Sequence, residues 1–334
     1  MHASKKAMAA FAVFAVFGVA IVLAGCSSTA STNHTSSSGP YKIAFIPGDA
    51  NDAYYGSVGC GIQAIAKKNN AKVTVQAPAT FSPTAQTPIL QSVIATKPDA
   101  IIIAPTDAKA LYAPLKQAVA DGIKVILVDT TLDNPSLASA QVTSNNEDAG
   151  KVAATTLVKA LGGASGSVIT VNLSAGVTTT DARAKGFANG IKSHADLTYL
   201  GQQYSNNSVQ TAESIVSATI AAHSNLVGVF STAAFNTEGA VAALKSANVQ
   251  SKVKIVGFDA NPSGIKQIKD GDVYGQVVLK PYDEGTAAAQ QTINALEGKH
   301  VTKLTTTGAL VATSKNLNSA LVQKYLYSYT CPAS

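Results

Sequence analysis

Two aspartates stand at matching points of a chain that repeats its own pattern. Asp129 follows the apolar run Lys124–Val128 (KVILV), and Asp259 follows the run Lys252–Gly257 (KVKIVG) after one phenylalanine, Phe258. A carboxylate accepts two hydroxyl hydrogen bonds at once, so two of them aimed into one cleft can hold a polyhydroxylated molecule. Aromatic faces cover the apolar side of a sugar ring. The segment after the first apolar run supplies Asp52, Tyr54 and Tyr55 close together, and Phe235 stands in the second half. Adjacent helical residues cannot both face one interior, so Tyr54 or Tyr55 is expected to line the cleft or the surface. Asp129 has a plainer reading as a turn cap, but its repeat partner Asp259 weighs for binding.

Other polar residues have competing readings. Asp107 reads as a helix N-cap. Asp181 fits either an N-cap or a ligand contact. Arg183, in a sparsely charged stretch, is either a ligand donor or the internal partner of an acid. Signatures of catalysis are weak. Gly59-Cys60-Gly61-Ile62-Gln63-Ala64 resembles a dinucleotide motif, but it lies inside a predicted helix, about a dozen residues after its strand, where it cannot cradle phosphates. There is no P-loop, G-x-S-x-G or H-E-x-x-H motif. His34, His194, His223 and His300 stand singly, without metal-ligand spacing. The expectation is a binding protein, not an enzyme, with no cofactor and no metal.

The elements that must position these residues alternate strand and helix. The first half reads as strands Lys42–Ile46, Lys72–Gln76, Ala100–Ala104 and Lys124–Val128, separated by helices Tyr54–Asn69, Thr84–Thr96 and Asp107–Asp121. The second half repeats the order. Its strands are Ser167–Val171, Thr198–Gln202, Leu226–Phe230 and Lys252–Gly257. Its helices are Asp181–His194, Ser208–His223, Phe235–Ala247 and Pro262–Asp270. Apolar strands alternating with helices predict parallel sheets covered on both faces. The fold class expected is therefore α/β, with two Rossmann-like lobes joined by hinge strands. Ligands of such sheets sit outside the carboxyl ends of the strands, which is where the polar residues above fall.

A first crossing between lobes is expected at Val142–Asn146. Val273–Leu279 and the helix Tyr282–Glu297 return toward the first lobe, and Gly308–Thr313 with the tail makes a further crossing. The boundaries read as 41–143 plus about 280–306 for the N-terminal lobe. The C-terminal lobe takes 144–279 plus about 307–314, and 315–334 form a tail.

The first residues carry an address. Lys5 and Lys6 precede an uninterrupted run of small apolar residues from Ala7 to Val22, and Leu23-Ala24-Gly25-Cys26 follows. This is the layout of an export signal, with a lipoprotein-like cut before Cys26. The alternative, an uncut spanning helix, is disfavoured by the shortness of the run. Residues 1–25 are thus read as signal peptide, and 26–40 as a lipidated cysteine and a flexible Ser/Thr linker. The rest is expected on the outer face of the cell membrane, anchored through Cys26.

Removal of the two leader lysines leaves 23 basic against 19 acidic side chains, a balance of +4. With no dense basic run, no nucleic-acid partner is expected. Assigning Cys26 to lipid leaves Cys60 and Cys331 as an even pair in an oxidising compartment, which predicts a disulfide between them. The alternative is two buried thiols.

These residues resemble the ribose- and galactose-type substrate-binding proteins of bacterial ABC importers. The resemblance is carried by Asn51-Asp52-Ala53-Tyr54-Tyr55, Asp99–Asp107 (DAIIIAPTD), Gly122–Asp129 (GIKVILVD), Ala182–Phe187 (ARAKGF) and Val256–Asp259 (VGFD). It implies the type I periplasmic binding protein fold: two lobes that close on a ligand and deliver it to a permease. It also implies an amide-like contact at Asp52, stacking at Tyr54 and Tyr55, and hydroxyl contacts at Asp129 and Asp259. Arg183 matches a family arginine.

Thr130 and Asp181 stand where ribose binders carry arginines, Ala233 replaces an asparagine, and Leu279 replaces a glutamine. The ligand set expected is Asp52, Tyr54, Tyr55, Asp129, Thr130, Asp181, Arg183, Phe235 and Asp259. The departures argue against plain ribose and for another sugar, a polyol, or a ligand with a donor-rich or cationic group. The implied partners are ABC permease subunits, with the chain itself a monomer. The same fold could instead present its ligand-bound form to a membrane signalling protein.

Overall fold

The computed structural model describes residues 39–331. Cys26 and the leader lie outside them. The first sheet comprises β1 (Tyr41–Ile46), β2 (Ala71–Val75), β3 (Ala100–Ile103), β4 (Lys124–Val128), β5 (Ala140–Ser144) and β11 (Leu304–Thr307). Its order is β11-β5-β4-β3-β1-β2, all parallel. The second comprises β6 (Gly166–Asn172), β7 (Leu197–Tyr204), β8 (Leu226–Ser231), β9 (Lys254–Phe258), β10 (Gly275–Val278) and β12 (Leu310–Thr313). Its order, β12-β10-β9-β8-β6-β7, copies the first, except that β12 runs antiparallel to β10. The α/β two-lobe fold expected from the alternation is therefore present, and β4 and β9 hold equivalent places.

Strands β3, β4 and β8 are buried along nearly their whole length. That follows from their mainly apolar content and from helices on both faces. Helices α1 (Ala53–Lys68) and α9 (Pro281–Leu296) pack together on the first sheet, and α4 (Asn146–Leu161) and α5 (Thr178–Ile191) pack together in the second lobe. Both pairs meet through glycine. A Cβ on Gly285 would lie 2.0 Å from the Val58 carbonyl oxygen, and one on Gly186 would lie 1.9 Å from that of Glu147. Gly61 of the dinucleotide-like motif plays the same part in α1, against the Tyr282 carbonyl, and so serves helix packing.

Three helices near the polar residues differ from the sequence reading. Helix α4 was not anticipated, although Glu147 and Asp148 in its first turn and left-handed Gly162 at its end mark it clearly. The helix expected over Asp107–Asp121 begins only at Tyr112, as α3 (Tyr112–Ala120). Asp107 caps the preceding turn instead, accepting from Lys109 N and Ala110 N. Helix α5 starts at Thr178, so Asp181 lies inside its first turn and is not the capping residue.

The chain passes between the sheets after Ser144, after Val278 and after Thr307. Its last segment returns to α1, where Cys331 is bonded to Cys60 with a Cα–Cα distance of 5.2 Å.

Candidate functional site

Asp129 and Asp259 leave β4 and β9 in the same unusual conformation. Both have left-handed backbone, with φ 62° and 76°. Each donates its own N–H to the neighbouring crossing strand, Asp129 to Val142 O at 2.9 Å and Asp259 to Val277 O at 3.0 Å. Asp tolerates this conformation because its short side chain bonds locally. The repeat thus turns both carboxylates out of their sheets at the same register. Both are buried, and both line one cavity between the lobes.

The first lobe adds Asp52, Tyr54 and Tyr55. Asp52 is the N-cap of α1 and accepts from Tyr54 N at 2.9 Å. The cap fixes the start of α1 and so sets both tyrosines, whose rings meet edge to face at 5.3 Å. Tyr55 Oη donates to Asp129 Oδ2 at 2.7 Å, and Tyr54 Oη donates to Glu284 Oε2 at 2.7 Å. Both tyrosines line the cavity although they are neighbours in α1, because the helix enters the site end-on. Replacing Asp52 by alanine is expected to cost about 1 kcal/mol in urea unfolding through the lost cap, and asparagine is expected to restore it.

Arg183 comes from the second lobe. Its Nε donates to Asn146 Oδ1 at 2.8 Å and its Nη1 to Thr232 O at 2.9 Å. Its guanidinium lies 4.4 Å over the Phe258 ring. Close packing of α5 on α4 through Gly186 brings Arg183 within reach of Asn146. Phe235 and Ala233 also line the cavity, and Ala234 N donates to Asp259 Oδ2 at 3.2 Å.

Two expected residues point elsewhere. Thr130 is buried outside the lining with its hydroxyl unpartnered. Asp181 binds Gly176 N and Asn172 Nδ2, ordering the loop that follows β6. Both were aligned to arginines, whose reach far exceeds that of threonine or aspartate. Conversely, Asp49, Phe81 and Asn207 line the cavity without having been singled out. Asp49 had a signal, because it follows β1 at the carboxyl end of the sheet. Phe81 had none, because it lies in a loop.

Buried Gln86 also went unremarked. It binds Pro47 O, Ala104 O and Thr106 N, and so locks together the loops after β1 and β3. Glu284 is a charge on the apolar stripe of α9, in line with Ala288 and Thr292, and that spacing could have revealed it.

The site holds four carboxyls and one guanidinium. Desolvation, reinforced by Asp259 and the other carboxylates, pushes Asp52 up to about 8. Desolvation raises Asp259 to about 6, with Arg183 opposing it and Asp129 adding to it. Asp129 is also raised by burial, against the pull of Arg183 and of the Tyr55 and Tyr54 hydroxyls. Asp52 therefore holds its proton more tightly than a free carboxyl, and a protonated carboxyl both donates and accepts. Such a mixed set matches neutral hydroxyl groups.

Residues 43–300 match the family described as periplasmic binding protein domain. The chain is 27% identical over 254 residues to the ribose import binding protein RbsB of Bacillus subtilis, covering 76% of this chain and 81% of that protein. A solute binding protein of an ABC transporter from Agrobacterium vitis, solved with alpha-D-tagatopyranose, superposes with a TM-score of 0.83 at 32% identity. That match covers 86% of this chain and 99% of the other. A second Agrobacterium vitis solute binding protein, holding D-fucose, gives a TM-score of 0.80 at 28% identity, over 86% of this chain and 100% of the other.

Proposed function

The chain belongs to the periplasmic binding protein domain family, and from that premise we propose that it is an extracytoplasmic, lipid-anchored receptor that captures a sugar or polyol between its lobes and delivers it to an ABC permease. The observation that carries this reading is the pairing of Asp129 and Asp259 at equivalent strand ends, facing one cavity that Tyr54, Tyr55 and Phe235 also line. The paired carboxyls take ligand hydroxyls, and the aromatic residues cover the ring. Because the two lobes contribute opposite walls, the closed form binds ligand better, and ligand shifts the balance toward closure. Anchoring rests on Leu23-Ala24-Gly25-Cys26, with the Ser/Thr linker giving reach.

Arg183 is the one arginine of the cavity, and it already donates to Asn146 and Thr232. The positions corresponding to the further donors of ribose binders are Thr130, Asp181, Ala233 and Leu279. A site rich in acceptors favours a ligand rich in hydroxyl donors, and a neutral monosaccharide or polyol other than ribose fits best.

A thermal-shift screen of the purified chain against monosaccharides and polyols tests the reading. A ligand at a hundred times its Kd adds about 2.7 kcal/mol, which raises the midpoint by roughly 4 °C in a protein of this size. A screen in which no sugar or polyol moves the midpoint, while a small amine does, would overturn the neutral-sugar assignment.

A further inference from the structure

The segment after β12 does more than end the chain. It leaves the second sheet at Thr313, forms α10 (Ala320–Lys324), and finishes on α1 of the first lobe. Tyr325 Oη donates to Asp283 Oδ2 of α9 at 2.9 Å. Tyr327 N donates to Ala260 O at 3.0 Å, one residue past Asp259. Ser328 N donates to Ser57 Oγ of α1 at 3.0 Å, and a Cβ on Gly56 would sit 2.5 Å from Ser328 O. Tyr329 Oη donates to Asn51 O at 3.1 Å, and the Cys60–Cys331 bond closes the path.

At the centre of this path is Tyr327, which is 3% exposed. Its ring meets the ring of Tyr54 edge to face at 5.6 Å. Its hydroxyl accepts from Leu279 N at 2.9 Å, two residues past Val277, whose carbonyl accepts from Asp259 N at 3.0 Å. Tyr327 therefore touches a cavity residue of the first lobe, the residue next to Asp259 in the second, and the crossing that follows β10.

We propose that residues 314–331 form a fourth connection between the lobes, clamped by the Cys60–Cys331 disulfide, and that Tyr327 is a positioning residue that holds Tyr54 and Asp259 in register across the cleft. The part concerning Tyr327 rests on the reading of the cavity as the ligand site. The part concerning the connection does not. Cutting the clamp frees the tail from α1, so the ligand-free protein opens wider. A less populated closed form lowers apparent affinity by the same factor as the population falls.

The test uses the purified full chain and two readouts. Small-angle scattering follows the radius of gyration without ligand. Calorimetry follows the affinity for whichever of D-tagatose, D-fucose, D-arabinose and D-ribose binds the parent. Cys60→Ser with Cys331→Ser is expected to increase the radius of gyration and to weaken binding about tenfold. Reduction of the folded parent by a phosphine should do the same, which covers the case of a variant that does not fold. Tyr327→Ala should open the free protein, whereas Tyr327→Phe, which keeps the ring, should retain the parental scattering. Tyr327→Phe should still weaken binding about fivefold in the parent and have no further effect in an Asp259→Asn background.

Parental scattering in both the reduced protein and the cysteine variant would refute the fourth connection, even if no sugar of the set binds. An unchanged radius in Tyr327→Ala, or full additivity of Tyr327→Phe with Asp259→Asn, would refute the role of Tyr327. Undiminished affinity in Asp259→Asn alone would instead refute the ligand site and leave the scattering result standing.

Discussion

Asparagine at Asp129 or at Asp259 lowers affinity for the bound sugar by roughly ten- to a hundredfold and leaves the fold intact. Hydrogen bonds to a charged group contribute about 1.5–3 kcal/mol each, and each carboxylate offers two acceptor oxygens where the amide offers one. Loss of one such bond corresponds to about one to two decades in Kd. Asparagine is the informative substitution because the left-handed φ of both residues constrains the choice. It tolerates that backbone, whereas alanine pays about 1–2 kcal/mol there and mixes a folding defect with a binding defect. Calorimetric titration gives the affinity and urea unfolding gives the stability. Parental affinity in both asparagine variants would remove the two carboxylates from the site.

Glutamine at Glu284 makes the protein more stable at pH 8 and flattens its pH dependence. Glu284 is fully buried. It accepts from Tyr54 Oη at 2.7 Å, from Thr307 Oγ1 at 2.8 Å and from Ser144 Oγ. Ser144 and Thr307 are the last residues of β5 and β11, where the chain leaves the first sheet. One carboxyl thus joins a cavity tyrosine to two of the crossings. Desolvation, with the Asp129 charge adding to it and the three hydroxyls opposing it, raises Glu284 to about 7 from an ordinary 4.5.

For an acid raised in this way the native state holds the proton more tightly than the unfolded chain. Its contribution is complete below about 4.5 and is lost as pH rises through about 7. At 1.36 kcal/mol per unit the loss is about 3 kcal/mol. Asp52 and Asp259 are raised too and act in the same direction, so the difference between parent and Glu284→Gln isolates this group. Chemical denaturation from pH 5 to 8 should show the parent falling relative to the variant. Parallel curves would mean that Glu284 stays ionised throughout. Leucine at the same place should destabilise at every pH, because Tyr54 loses its buried acceptor.

The candidate site was legible to the extent that it follows from the repeat. Asp129 and Asp259 could be paired because equivalent apolar strands precede them, and a strand end in a parallel sheet faces the ligand crevice. Asp52, Tyr54 and Tyr55 followed from their place after the first strand. Thr130 and Asp181 did not behave as aligned, because a short side chain set where a long one reached the cleft makes local bonds instead. Asp181 shows this directly, with its bonds to Gly176 and Asn172. Helix α4 follows a crossing strand and so falls between the two repeats, although its acidic first turn and its glycine end are both readable in the sequence.

Local patterning alone determines a good deal of this protein. Alternation of apolar runs and amphipathic segments sets strand against helix, and the repetition sets two lobes, because each periodicity leaves one face that must be buried. The parity of Cys60 and Cys331 anticipated their bond by the same economy. Contacts between residues far apart in the chain obey no such pattern. Tyr327 against Tyr54, Glu284 against Ser144 and Thr307, and Phe81 in the cavity wall arise only when elements hundreds or dozens of residues apart are packed together. Their positions depend on where whole helices and crossings come to rest, and that is settled by the packing of the two lobes and not by any local spacing.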